Sequence, residues 1–338
     1  MASSKKTSAT KRLKVILAIV LAITLSFFFI PGLNTSSNST KLTIHRGTGF
    51  IGIVEEMARQ GTIRERWPVL LTARIIPRIH NIKPGRYTIP GGMSNLQLLL
   101  FLHFHPQDEM RVTLPEGLDL RKVSRILSRK LDIDSSAFMA AARDTFLLRK
   151  YRIKAENAEG YLFPGTYNFA WASSPSEAAG FLVGRFRRFY SDSLRSVASR
   201  RGLTETQLLT LASIVEAETP VNAEKPLVAS VYLNRLKKNM RLQADPTVQY
   251  ALGGAARHLY YGDLGIDSPY NTYRHNGLPP GPICNPGSAS ILAVLKPANT
   301  RFIYFVATGT GGHNFAETLA QHGENIKKYR KARRESSR

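Results

Sequence analysis

The chain has 338 residues, of which 43% are hydrophobic and 21% charged, an ordinary globular balance and enough to bury a core. Lys and Arg outnumber Asp and Glu by 47 to 24, a formal net charge of +23. That field draws polyanions but does not choose among nucleic acid, anionic lipid headgroups and acidic wall polymers. Cys284 is the single cysteine. An intramolecular disulfide and a cysteine-based metal site are therefore excluded, and neither HExxH nor a Gly-rich phosphate loop occurs.

The first apolar run, Val15 to Ile30, carries no charge and only Thr24 and Ser26 as polar interruptions. Lys5, Lys6, Lys11, Arg12 and Lys14 precede it, and no acidic residue appears before Glu55. This positive-inside pattern predicts a cytoplasmic tail over 1–14, a membrane helix over 15–31 and everything later on the outer face. A cleaved signal peptide is the rival reading, but no small-x-small site follows Ile30. An outward-facing chain does not meet nucleic acid, so the charge points elsewhere.

Residues 32–40, containing Asn34 to Thr40 (NTSSNST), form a polar linker. Lys41 to Ile44 alternates as a strand, and Ile51, Val54 and Met57 lie at helical spacing within Phe50 to Gln60. A helix over Trp67 to Ile76, a strand over Arg86 to Ile89 and a helix capped by Ser94 complete a small α+β module, residues 41–110. A connecting α+β segment, 111–155, carries the strand Val112 to Gly117 and the helix Leu120 to Leu131. From 156 to 338 a larger α+β domain begins with the aromatic, turn-rich Glu159 to Tyr167. Ser174-Pro175 with Glu177 starts a long helix to about Ser199, and Thr204 with Gln207 starts another that ends near Pro220. A helix over Glu224 to Lys238 follows, then loops up to Pro297. The best strand is Arg301 to Ala307, and the end, Lys327 to Arg334, is a solvated basic helix terminus.

Polar residues within apolar helices carry the chemistry. The helix LLTLASIVEAET, Leu208 to Thr219, holds Glu216 and Glu218 on opposite flanks of its apolar stripe, so the wheel names neither as catalytic. A carboxyl held against apolar surface keeps its proton near neutral pH, as a general acid must. Gln243, Asp245 and Thr247 bring an amide, a carboxylate and a hydroxyl to one short stretch. Tyr270, Asn271 and Thr272 stand before a Pro- and Gly-rich loop, Gly277 to Gly287. Such groups suit sugar hydroxyls and acetamido groups, with tyrosine faces for sugar rings. Gly311-Gly312-His313-Asn314-Phe315 follows the strongest strand.

Four motifs in order resemble the YceG-like family: ASIVEAET (212–219), VYLNRLKKNMRLQADPTVQYALG (231–253), SPYNTYRHNGLPPGPICNPG (268–287) and YFVATGTGGHNF (304–315). EGYLFPGTY (159–167) is a fifth. The resemblance runs from about residue 41 to the C-terminus. It implies a membrane-bound lytic transglycosylase that cuts peptidoglycan glycan strands internally, with a LysM-like glycan-binding module over 41–110 and the catalytic domain over 156–338. It aligns the family's catalytic acid with Glu218. It leaves Glu216, Gln243, Asp245, Thr247, Tyr270, Asn271, Thr272, His313 and Phe315 as the substrate-binding set. No cofactor and no metal are implied, and cell-wall synthases are the implied protein partners. A muramidase with Asp245 as second carboxylate, and an inactive peptidoglycan-binding protein, are the alternatives.

Overall fold

The computed structural model describes residues 2–254 and 258–336, apart from the side chains of 2–10 and 336. Lys5 and Lys6, on which the positive-inside reading leans, have side chains outside that description. The chain divides into two compact units. The first comprises 1–111, 130–132 and 168–173, and the second comprises 112–129, 133–167 and 174–338.

The first unit opens with α1 (Ala2–Phe29). Its segment Lys11–Phe29, 19 residues, is long and apolar enough to cross a membrane. The helix stops at Phe29, two residues before the expected end, ahead of Pro31 and Gly32, the latter at φ +73°. Strands β1 (Thr40–Ile44) and β2 (Gly85–Ile89) pair antiparallel, with Leu42 opposite Tyr87. Helices α2 (Phe50–Arg59), α3 (Trp67–Ile75) and α4 (Asn95–Phe104) cover them. Leu42, Ile44, Met57, Val69, Tyr87, Leu98 and Leu99 share one core, as the strand alternation requires. Ser94 caps α4 as expected, and Gln97 completes a capping box with it.

The polar segment after α1 is not a free spacer. Asn34 and Thr35 are buried. The Asn34 amide donates to the carbonyl of Glu65 and to Asn95 Oδ1, both at 2.9 Å, and accepts from the Glu65 N–H at 2.8 Å. Ser36 N donates to the Thr62 carbonyl at 3.0 Å, and Gly92 N to that of Ser36 at 2.7 Å. The side chains that make the stretch read as a linker here satisfy buried backbone groups.

The second unit begins in β3 (Glu109–Leu114), which pairs with β4 (Gly165–Ala170). Between them run α5 (Leu120–Lys130), α6 (Ser135–Ala141) and α7 (Thr145–Lys150). The expected helix from Ser174 to Ser199 is two, α8 (Pro175–Phe189) and α9 (Asp192–Arg200). Buried Tyr190 leaves helical geometry, and Ser191 then serves as the next N-cap, with Asp192 in the first turn. Next come α10 (Glu205–Glu218), α11 (Lys225–Lys237), α12 (Asp245–Ala251) and α13 (Ser288–Leu295). Helices α12 and α13 lie in the stretch read as loops; at seven and eight residues they are too short to show a period. Strands β5 (Tyr304–Ala307) and β6 (His313–Ala316) form a hairpin, and α14 (Leu319–Ser336) packs on it with its basic end exposed.

Helix α10 is the axis of this unit. Leu208 to Val215 are all buried, and α11, α12 and α13 surround it. A helix apolar on every side belongs inside. The Pro-rich loop is fastened to it: Ile283 N donates to Ser213 Oγ at 3.0 Å, and buried Asn285 receives the Leu162 N–H at 2.9 Å. Gly160 sits at φ +83°, and a Cβ there would stand 2.5 Å from Pro282 Cγ, so only glycine lets the two loops touch.

Candidate active site

The end of α10 brings polar groups out of this apolar axis. Glu218, its last residue, remains partly exposed, and Tyr232 of α11 donates its hydroxyl to Glu218 Oε1 at 2.5 Å. Desolvation by the surrounding protein pushes the Glu218 pKa up to about 7; the Tyr232 bond and the Arg235 charge oppose that rise, and the Asp245 charge adds to it. Burial, with the carboxylate beside it, raises Tyr232 well above the usual phenol range, so it stays a donor. Arg235 is itself fixed, giving Nε–H to the Ile303 carbonyl and Nη1–H to that of Leu242, each at 2.7 Å.

Glu216 has a different life. Its Oε1 accepts from Lys225 Nζ at 3.1 Å, and its Oε2 from Gly287 N at 2.9 Å and Ser290 Oγ at 2.7 Å. Lys225 is only 2% exposed, so this is a buried ion pair tying α10 to α11 and α13. Both oxygens are used, and Glu216, expected to bind substrate, is instead a brace. The helical wheel could not separate the two carboxylates because the partners that distinguish them come from elsewhere in the chain.

Asp245 opens α12, is exposed, and accepts the Tyr273 hydroxyl at 2.5 Å. Gln243 is exposed at φ +50°, a costly geometry for a non-glycine residue, held by its N–H to the Thr272 carbonyl at 3.2 Å. Three expected contact residues are instead scaffold. Asn271, Thr247 and Thr272 are buried. Asn271 donates to the carbonyls of Leu264 and Ile266, and Thr272 Oγ1 accepts from Ala244 N and lies 2.9 Å from Thr247 Oγ1. They shape the loop carrying Tyr273, and their polar groups are consumed inside it. Tyr270 stacks at a tilt on Tyr250, ring centres 4.9 Å apart.

The hairpin closes another side. Phe305 meets Tyr232 edge-on at 5.9 Å and His313 at 5.3 Å, with Phe315 at 6.1 Å. His313 is oriented by Glu224, which accepts its N–H at 2.8 Å and lies 2.7 Å from its Nδ1. Burial alone would raise the Glu224 pKa, but the bonds and charge of His313 outweigh it and the net shift is downward. Sequence reading missed Tyr232, Glu224 and Lys225; a phenol, a carboxylate and a lysine on or beside an apolar helix were the available signal. Among the described residues, no group of three or more His, Cys, Asp or Glu could hold a metal ion.

At the end of α10 the Glu218 carboxyl thus stands beside the exposed Gln243 amide and Asp245 carboxylate and the rings of the β5–β6 hairpin. The YceG-like family profile matches residues 42–328, and the chain belongs to that family. It is 34% identical over 233 residues to the endolytic murein transglycosylase of Bacillus subtilis (strain 168), covering 65% of each chain. It is 30% identical over 278 residues to the protein of that name in Streptococcus pneumoniae serotype 2 (strain D39 / NCTC 7466), covering 73% of this chain and 50% of that one. The chain thus spans 65% and 50% of the length of these curated relatives. The crystal structure of a YceG-like protein from Listeria monocytogenes superposes with a TM-score of 0.60 at 28% identity, covering 86% of this chain and 99% of that one.

Proposed function

We propose that this chain is an endolytic lytic transglycosylase of peptidoglycan, with Glu218 as its single acid/base. The observation that carries the reading is the Glu218 carboxyl, whose pKa stands at about 7 and whose geometry is fixed by Tyr232. The names of the relatives support the substrate.

In the reaction, protonated Glu218 gives its proton to the glycosidic oxygen between N-acetylmuramic acid and N-acetylglucosamine, and the C1–O bond breaks. The substrate's acetamido group stabilises the positive C1. Glu218, now a carboxylate, takes the proton of the muramyl C6 hydroxyl, whose oxygen closes on C1 as a 1,6-anhydro ring. Water is not consumed, so no second carboxylate is needed, unlike most glycosidases. Asp245 and Tyr273 stand beside the acid, Gln243 presents an amide, and His313 and Phe315 supply a wall.

In this reading α1 anchors the chain in the cytoplasmic membrane with both units outside. Residues 41–110 act as a LysM-like glycan-binding module, and cell-wall synthases are partners.

The test is mass spectrometry of fragments released from purified cell wall. Products with 1,6-anhydro ends are expected, lighter by one water than hydrolytic ones. A second reading rests on the Asp245–Tyr273 bond beside Glu218: a muramidase using Asp245 to activate water. Reducing muramyl ends, abolished by Asp245→Asn, are its signature. Wall binding with no fragments released marks an inactive binding protein.

A further inference from the structure

A second feature of the catalytic unit lies at the other end of α10. A cavity of about 870 Å³ is lined by Lys150, Arg152, Lys154, Arg187 and Arg195, with Glu205 as its one carboxylate and the rings of Tyr151 and Tyr161 among its walls. Five cations against one anion in a concave space concentrate positive field. The first turn of α10, Glu205 to Gln207, also lines it and adds the positive end of the helix dipole.

Arg187 is the informative residue. Its Nη1–H donates to Glu205 Oε2 at 2.5 Å, while Nε and Nη2 are buried with no hydrogen-bond partner. Those two N–H groups lie on the same edge of the guanidinium, the fork that grips two oxygens of one carboxylate. The guanidinium lies over the rings of Tyr161 and Phe186, at 5.7 and 5.5 Å, which fixes its plane. A buried donor left unpaired costs about 1–3 kcal/mol, so a carboxylate that draws this edge of Arg187 out into the cavity relieves that penalty.

We infer that this cavity binds the acidic peptide stem carried by the glycan strand. The inference rests on the peptidoglycan reading above. Glu205 and Glu218 are 13 residues apart on one helix, ~20 Å at 1.5 Å per residue. The pocket therefore cannot touch the reacting bond. A stem of four or five residues, extended at ~3.4 Å each, spans most of that distance from a sugar beside the cut. The volume exceeds what a lone ion fills, and the part-exposed Tyr151 ring suits short apolar side chains between carboxylates. A phosphodiester polymer shares the charge but not the need for a concave, partly apolar space.

The experiment uses the full chain in detergent. A soluble stem tetrapeptide with free carboxylates is titrated by calorimetry, and cleavage is compared on strands with stems and strands stripped by an amidase. Salt-sensitive peptide binding is expected, weakened at least tenfold by Arg187→Lys and by Lys150→Ala/Lys154→Ala, two exposed lysines whose loss spares the core. KM for stemmed strands should be several-fold below that for stripped strands, and that ratio should collapse toward one in both variants. No peptide binding, an undiminished ratio in the variants, or binding of poly(glycerol phosphate) in place of the peptide would overturn the inference. If the peptide binds but no strand of either kind is cut, the transglycosylase reading fails and the pocket stands.

Discussion

Glu218→Gln keeps the side chain's size and an oxygen for the Tyr232 hydroxyl, but it has no proton to give away. The Glu218 carboxyl has a pKa of about 7 in the folded chain against an ordinary 4.5. Between those values the folded chain holds a proton that the unfolded chain has released, so stability falls as pH rises through this window. Above pH 7 the full cost of ionising this desolvated carboxyl is reached, about 3 kcal/mol. Glutamine escapes it. The variant should equal the parent near pH 4 and exceed it by ~2–3 kcal/mol at pH 8, a rise of roughly 4–12 °C in the melting of a unit this size. Circular dichroism at both pH values measures the difference. Cleavage should fall by ~10³-fold or more, since one group serves both proton transfers. A variant less stable than the parent at pH 8, or a difference independent of pH, would refute the argument that this carboxyl is held protonated by burial.

Tyr232→Phe removes the bond that holds the Glu218 pKa down, so the alkaline limb of the kcat/KM profile should move to higher pH; a move to lower pH contradicts the assigned donor. Lys225→Met strands Glu216 as a buried charge and should cost roughly 3–5 kcal/mol in chemical denaturation, most of it recovered by Lys225→Met/Glu216→Gln. If the single and double variants unfold alike, the pair is not the brace described. Gly160→Ala drives a methyl into a proline ring at positive φ and should cost at least about 1–3 kcal/mol, seen as faster amide exchange in the loop around Pro282. Unchanged exchange there would mean the loops separate freely.

Local chemistry was readable and long-range pairing was not. The capping boxes at Ser94, Ser174 and Thr204 each need residues only three apart, and each starts a helix where the sequence places it. The break at Tyr190 follows a packing demand on a buried ring, which helical periodicity does not report. The carboxylates of α10 show the same limit. Glu216 is neutralised by a lysine nine residues on and accepts a hydrogen bond from Ser290, 74 residues on, while Glu218 meets a phenol 14 residues away. Two glutamates two residues apart acquire opposite characters from those partners. Asn271 and Thr272 were legible as a polar cluster. That they point their bonds inward depends on loop closure that spacing does not encode.

The joint after α1 has a mechanical consequence. A free polar tether lets a domain wander over a volume set by chain statistics, but Asn34 and Ser36 are latched to backbone groups of residues 62–65, Thr35 to the Met93 carbonyl and Asn34 to Asn95, whose amide also donates to the Phe27 carbonyl at 2.6 Å. If α1 is held in a bilayer, as proposed above, the first unit is a bracket bolted to its post. Its standing height above the lipid becomes a built-in length, and lengthening it takes broken hydrogen bonds rather than a stretched coil.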